Sequence, residues 1–371
     1  MEARMTQLIG TRLKALREQR DMSQDDLARV FGFKDRQTVS AIETGERRVS
    51  AEELIVAVEK LGVSLDYFTD PFLLIGEGRF SWRQTDVGPQ KLSAYERNAG
   101  RWIAAFRAIA PQVGRSAPLL RRSLGIARHQ RFEDAMDAGE RFVAEFALGE
   151  VPAARLVEIM EAELGILVLM VDAFQGISGA ACRLPELDVV LINRHEVVGR
   201  RHFDLAHELF HILTWDAMPP EHSEDARETG GNRVEQLANN FASAVLMPTP
   251  VLDRFGDWSA IDTGKLANRL NEVANELQVT ASALKWRLVA LDWLKPAVAR
   301  TVPDAALRNN GRNTGDAALP PPFSKPFMEV IGLAVDEGRV SARRAAALLD
   351  LTVDDLADLF ATHGVQSPVE L

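Results

Sequence analysis

The sequence predicts a mainly α protein with a small β-sheet, an α+β fold class, arranged in three regions. Three observations carry this. Paired helix start and stop signals run through the first 70 residues. Two β-branched apolar runs, "LGILVLMVD" and "LDVVLINR", lie mid-chain between helical stretches. Helical spacing returns near the C-terminus after "LRNNGRNTGDAALPPPFSKP", a segment of linker composition. The expected division is an all-α domain over 1–71, a linker over 72–90, a central domain over 91–300 that includes a helical arginine-rich lead-in, a second linker over 301–325, and a small helical region over 326–371.

The 371 residues are 46% hydrophobic, enough to bury a core in each of two or three domains. A net charge of -10 argues against a protein that coats polyanions, so any nucleic-acid contact is local to a patch. The single cysteine, Cys182, permits no internal disulfide, which fits a reducing cytoplasm. No basic-then-apolar pattern opens the chain, and the longest apolar runs fall short of a membrane span.

In the first region, "MSQDDLARVFGF" opens with an N-cap serine, Ser23, and stops at Gly32. "DRQTVSAIETGERRVS" is a third short helix ending at Gly45. "SAEELIVAVEKLG" has Ser50 and Glu53 in capping-box positions and closes on Gly62. Beyond the 72–90 linker, 91–164 reads as helical throughout. Two strands follow, with "ISGAACRLPEL" between them as a further strand and turn. Helices are expected over 200–216, 231–247 and 262–295.

The chemistry concentrates in "AHELFHILTW". His207 and His211 stand four apart, on one face of a helix, where two imidazoles can grip one ion. Glu208 is one position round, placed to reach a metal-held water as general base. Three polar residues on an ordinary helix is the competing reading, and two histidines alone do not close a site. Downstream, "RVEQLANNFASAVLMP" puts Glu235, Ala238, Asn239 and Ala242 on one helix face. Small residues there let the two helices approach, so that Glu235 supplies a third ligand and leaves a fourth position for water, the donor set of a hydrolytic zinc site.

Together, "INRHEVVGRRHFDLAHELFHILTW" and "EQLANNFASAVLMP" resemble the ImmA/IrrE-type zinc metallopeptidases over roughly residues 150–295, with "VTASALKWRLVAL" as the closing helix. The resemblance implies a zincin-like central domain, Zn2+ held by His207, His211 and Glu235, and Glu208 as catalytic base. It also implies limited cleavage of a partner transcriptional repressor, relieving repression after DNA damage or phage infection. The protein substrate is then a small helix-turn-helix repressor encoded nearby, as in antiphage operons. The family has glycine where Phe210 stands, which is expected to narrow the cleft above the helix. Asp204, one turn before His207, is either a helix-surface acid, the favoured reading, or a partner to a ligand histidine.

"SQDDLARVFG" followed by "QTVSAIETGERRVS" resembles the helix-turn-helix of the Cro/repressor (XRE) class over residues 7–70. That resemblance assigns contact with duplex DNA to Gln24, Gln37, Thr38 and Ser40, with Arg36, Arg47 and Arg48 on phosphates. A helix-turn-helix reused for binding protein is the alternative.

Two further features carry two readings each. From Asn98 to Phe132 there is no acidic residue. Arg101, Arg107, Arg121, Arg122 and Arg128 in this segment either track a single strand, with Trp102, Phe106 and Phe132 as stacking partners, or pair with acids elsewhere. Cys182 is either a small buried hydrophobe or, on a strand beside the zinc, a fourth ligand that switches the enzyme off. The C-terminal helices, too short to bury both faces alone, are expected to dock on the central domain or on a second copy of the chain. Two other functional classes stand beside the peptidase: a DNA-binding regulator whose peptidase-like domain is a sensor or scaffold, and an antitoxin-like partner of a neighbouring protein.

Overall fold

The computed structural model describes residues 2–115, 121–225, 232–258, 261, 263–307 and 319–366. The N-terminal domain is built from α1 (Glu2–Gln19), α2 (Gln24–Phe31), α3 (Arg36–Glu43), α4 (Ala51–Leu61) and α5 (Leu65–Thr69). Its start signals work as read. Ser23 and Ser50 form capping boxes with Asp26 and Glu53, and Gly32 and Gly62 close α2 and α4 in the left-handed conformation. Leu13, Leu27, Val39, Ile42 and Phe68 fill a core of this domain's own.

The next element departs from the sequence expectation. Residues inside the supposed 72–90 linker form a strand, β1 (Arg79–Gln84), near the centre of the sheet. The order is β2 (Ile166–Val171), β4 (Asp188–Asn193), β3 (Ile177–Arg183), β1, then the short β5 (Ser223–Asp225). β1 and β4 run antiparallel to β3, while β2 is parallel to β4 and β5 parallel to β1. β3 is therefore hydrogen-bonded on both sides and offers no free edge to a substrate strand.

The sheet is covered on both faces, which is why its strands read as continuous apolar runs rather than alternating ones. Val190 and Ile192 point into one core, and Val189 and Leu191 into the other. The first core holds α7 (Phe132–Glu145), α8 (Pro152–Ala162), α9 (Val198–Thr214) and α10 (Arg233–Leu246). It continues through α11 (Thr249–Leu252), α12 (Thr263–Glu276), α13 (Ala281–Ala290) and α14 (Pro296–Thr301). The second core holds α6 (Pro89–Ile109) and the tail helices α15 (Lys325–Asp336), α16 (Ala342–Leu348) and α17 (Val353–Thr362). The stretch 91–164 is not helical throughout, since 121–131 runs as an irregular segment before α7. Residues 116–120 of the arginine segment and 308–318 of the second linker lie outside the described residues. Among the described residues no helix is long and apolar enough to cross a membrane.

The tail docks on its own chain. Phe327 stacks between Phe323 and Phe106, and the Phe323 backbone N–H donates to Met170 O at 2.6 Å, covering the outer edge of β2. Glu161 lies under this contact. Its carboxylate accepts from the Val168 N–H and bonds the Ser324 hydroxyl, and burial pushes its carboxyl up to about 7.

Two outcomes follow. Phe327→Ala should cost about 3–5 kcal/mol, as for other buried phenylalanines, read as a lowered denaturant midpoint with unchanged slope. Because Glu161 favours its protonated form when folded, its contribution is present below pH 4.5 and is lost as pH rises through about 7. Glu161→Gln should therefore raise Tm above pH 7 by about 2–4 °C and change it little at pH 4.5; an equal shift at both pH values would contradict the assignment.

Candidate metal centre

α10 begins where Asn232 caps it, accepting from the Val234 N–H at 3.0 Å. Glu235 thus sits in the first turn, where unpaired backbone N–H groups favour a carboxylate. Arg233 pins the same end by donating to the carbonyls of Arg128 and Gln130, with its guanidinium over the Phe132 ring. α7 holds α10 from behind at close range. A Cβ on Gly139 would lie 2.8 Å from Phe241 O and 2.9 Å from Ala244 Cβ, so only glycine permits this approach.

On α9, His207 and His211 face Glu235 in the gap between the helices. His207 Nε2 lies 3.0 Å from Glu235 Oε2, His211 Nε2 3.2 Å from Glu235 Oε1, and the two Nε2 atoms are 3.0 Å apart. Donor atoms around a tetrahedral ion with bonds of about 2.0–2.1 Å stand about 3.3 Å from one another. The three groups therefore form one face of such a polyhedron almost without rearrangement. Among the described residues this is the one cluster of three metal-ligating side chains. Asn239 Oδ1 lies 3.0 Å from His207 Nδ1. Accepting a proton there fixes the tautomer and leaves the Nε2 lone pair for an ion.

Burial and charge tune the group. Burial, with the nearby Arg83 guanidinium, lowers His207 to about 4 and keeps it the neutral imidazole that a metal needs. Burial opposes the charge on Glu235, but the facing imidazoles hold it well below the usual carboxylate range. Glu208, packed against Gly179 on β3, is pushed up to about 8 by burial. Its Oε2 is buried with no hydrogen-bond partner, an orphaned acceptor beside the cluster. Two imidazoles, one carboxylate and an adjacent unpaired carboxyl fit a divalent ion of the zinc type.

Residues 13–68 match the helix-turn-helix family, and residues 162–289 match the IrrE N-terminal-like domain. The chain carries both domains. The IrrE N-terminal-like domain takes in β2 to β4, α9, α10 and most of α13. Over 113 residues the chain is 40% identical to the radiation response metalloprotease IrrE of Deinococcus radiodurans, covering 28% of this chain and 31% of that protein. The match thus spans about a third of the relative's length. A Mycobacterium tuberculosis transcriptional regulator of known structure is similar over 42% of this chain and 46% of its own, at 24% identity and a TM-score of 0.31.

Several sequence-derived site residues stand elsewhere than expected. Cys182 points away from the cluster, into the second core beside α6 and the tail. Along β3, Ala181 faces the first core with α9, so Ala180 and Cys182 on either side of it face the opposite side of the sheet. Burial also pushes its thiol up, so it is a packing residue rather than a fourth ligand. Phe210 is fully buried against Phe241 and does not line the cleft.

The arginine segment is largely spent within the chain. Arg101 pairs with Asp350, Arg121 with Asp188 and Arg122 with Glu145. Arg107 pairs with Glu77 and is itself buried. These are ties between helices, sheet and tail, and they replace the single-strand reading; Arg128 is exposed. In the helix-turn-helix, Gln24 donates to Glu43, and Arg47 grips both oxygens of Glu53 over the Phe33 ring while its side chain stays 40% exposed. Arg36, Gln37 and Arg48 are exposed, and Thr38 and Ser40 half-buried.

Sequence reasoning missed Arg83 and misjudged Asp204. Asp204 is fully buried, paired with Arg83 at 3.1 Å and Arg200 at 3.0 Å. Arg83 reaches the cluster from β1. The alternation in "RFSWRQ", with aromatic residues at every second position, is the strand signal that could have found it.

His211→Ala or Glu235→Ala should reduce bound zinc from about one ion per chain to near none by elemental analysis. Stripping the wild type with chelator should lower Tm, and added zinc should restore it, because the ion binds the folded state. Full zinc content in either variant would remove that residue from the ligand set.

Proposed function

We propose that this chain is a zinc-dependent endopeptidase that makes a limited cut in a partner transcriptional repressor in the bacterial cytoplasm. The convergence of His207, His211 and Glu235 beside the buried carboxyl of Glu208 carries this reading. When bound, a zinc ion supplies Lewis acidity, acidifying water and polarising a carbonyl. Glu208 serves as the proton carrier. In its ionised form Glu208 can take a proton on the unpaired Oε2 and return it to the leaving amine.

A cleft of about 1320 Å³ leads to the cluster between α10 and α13. That is larger than the roughly 300–1000 Å³ of small-molecule pockets and suits a length of polypeptide. One wall carries Gln236, Asn240 and Ser243, whose amides and hydroxyl suit peptide groups. The other carries Ser282 and Trp286, whose indole is 46% exposed. The helix-turn-helix domain supports an action on transcription, with Arg36, Gln37, Thr38, Ser40 and Arg48 meeting duplex DNA. The name of the Deinococcus relative supports a link to DNA damage; release of repression after phage infection and a partner encoded nearby belong to the same proposal.

The alternative is a regulator that uses the peptidase-like domain as a sensor. It is favoured by one observation: Glu235 and Arg83 line the cleft, whereas His207, His211 and Glu208 do not. Glu208→Gln separates the two. Incubated with the product of the adjacent gene, the variant should lose cleavage while keeping zinc and DNA binding; undiminished cleavage excludes Glu208 as the base. Trp286→Ala should raise KM about tenfold at unchanged kcat if the indole only holds the substrate.

A further inference from the structure

We propose that Arg83 binds the substrate carbonyl oxygen at the metal centre and holds it as negative charge develops there. This deepens the peptidase reading and rests on it.

Four observations support the assignment. The first is position. Arg83 lines the cleft, and of the cluster only Glu235 shares that exposure. A group moving from the cleft to the metal ligands passes its guanidinium. The second is orientation. Nε lies 3.1 Å from Asp204 Oδ1, an ion pair that draws this end of the fork toward α9. Nη1 lies 3.0 and 3.3 Å from the two ring nitrogens of His207, against the ring rather than along one lone pair, and 3.6 Å from Glu235 Oε2. The guanidinium can therefore stay in place while Nε2 holds an ion.

The third observation is backbone construction. Arg83 is paired across the sheet with Gly179, and the register shifts between Arg83 and Gln84. Bulges of this kind re-aim side chains and recur beside active sites. A Cβ at Gly179 would lie 2.8 Å from Leu191 O, so the strand opposite Arg83 is kept bare just where Glu208 packs. The fourth is charge. With a divalent ion bound, the ion, Arg83 and Arg200 face the carboxylates of Asp204, Glu235 and, when ionised, Glu208. Arg200 is also faced by Glu196, so the ion and Arg83 are the positive groups aimed at the ligands, in a desolvated site where fixed donors stabilise an oxyanion most.

Arg83 could instead serve only to orient His207 through Asp204. The two roles separate without any peptide. Cobalt-loaded protein is titrated with inorganic phosphate, a tetrahedral oxyanion, and followed by its visible absorption; metal affinity is measured in parallel by chelator competition. If Arg83 binds the oxyanion, Arg83→Gln should weaken phosphate at least about tenfold while metal affinity stays within about twofold, and Arg83→Lys should recover part of the loss. A scaffold role predicts the reverse: weaker metal, lower Tm and unchanged phosphate affinity per loaded site. That result, or a wild type that shows no saturable phosphate effect, overturns the proposal.

On the cleaved partner, Arg83→Gln should lower kcat by about 10²–10³, as for other oxyanion donors, with KM little changed. Absence of cleavage by the wild type would defeat the peptidase reading, and the phosphate titration would still decide whether Arg83 is an anion-binding group.

Discussion

The site depends on how close α9 can come to α10. Two imidazoles on one helix must meet a carboxylate on the other inside a core that is otherwise apolar. Ala206, Ala238 and Ala242 are fully buried in that core and leave room for the approach. α7 presses α10 forward at Gly139, and Arg233 with Asn232 fixes where its first turn begins. A bulkier residue at any of these points would separate His207, His211 and Glu235, whose ligand atoms now lie within 4.8 Å of one another.

Such a gathering of charge is costly to bury, so its pairing is systematic. Asp204 is shared between Arg83 and Arg200, and Glu235 faces His207, His211 and Arg83. Asn239 satisfies the far nitrogen of His207. Asp204 Oδ1 and Glu235 Oε1 have ion-pair partners, whereas Glu208 Oε2 is buried with no hydrogen-bond partner. Burial also raises its proton affinity. That unsatisfied acceptor falls where the proposed reaction exchanges a proton.

How much of this was legible depended on the range over which each signal acts. Caps, and the four-residue spacing of His207 and His211, act within one helix and could be read directly. Glu235 was legible because small residues at helical spacing announce a close helix pair. β1 was hidden by its setting, six residues between glycine-containing turns, and Arg83 was hidden with it. Cys182 shows a parity limit: sequence places it on a strand, but neighbouring strands and helices decide which face meets the metal. The arginine segment misled for a related reason. Its charges are unbalanced locally and balanced at long range, by Asp188, Asp350 and Glu77. The fold also redraws the expected boundaries, because β1 and the tail helices complete the sheet's second core.

Glu77 lies between two guanidiniums, Arg12 from the N-terminal domain and Arg107 from α6. Arg12 is fully buried and also donates to the carbonyls of Tyr67 and Leu73. The seam therefore joins the helix-turn-helix to the rest of the chain through charges that would be stranded by any separation. The surface of α3 and the mouth of the cleft are held at one distance and bearing. A ligand long enough to reach both would meet the second contact at a high effective concentration, so that two weak contacts combine into one strong and orientation-selective attachment.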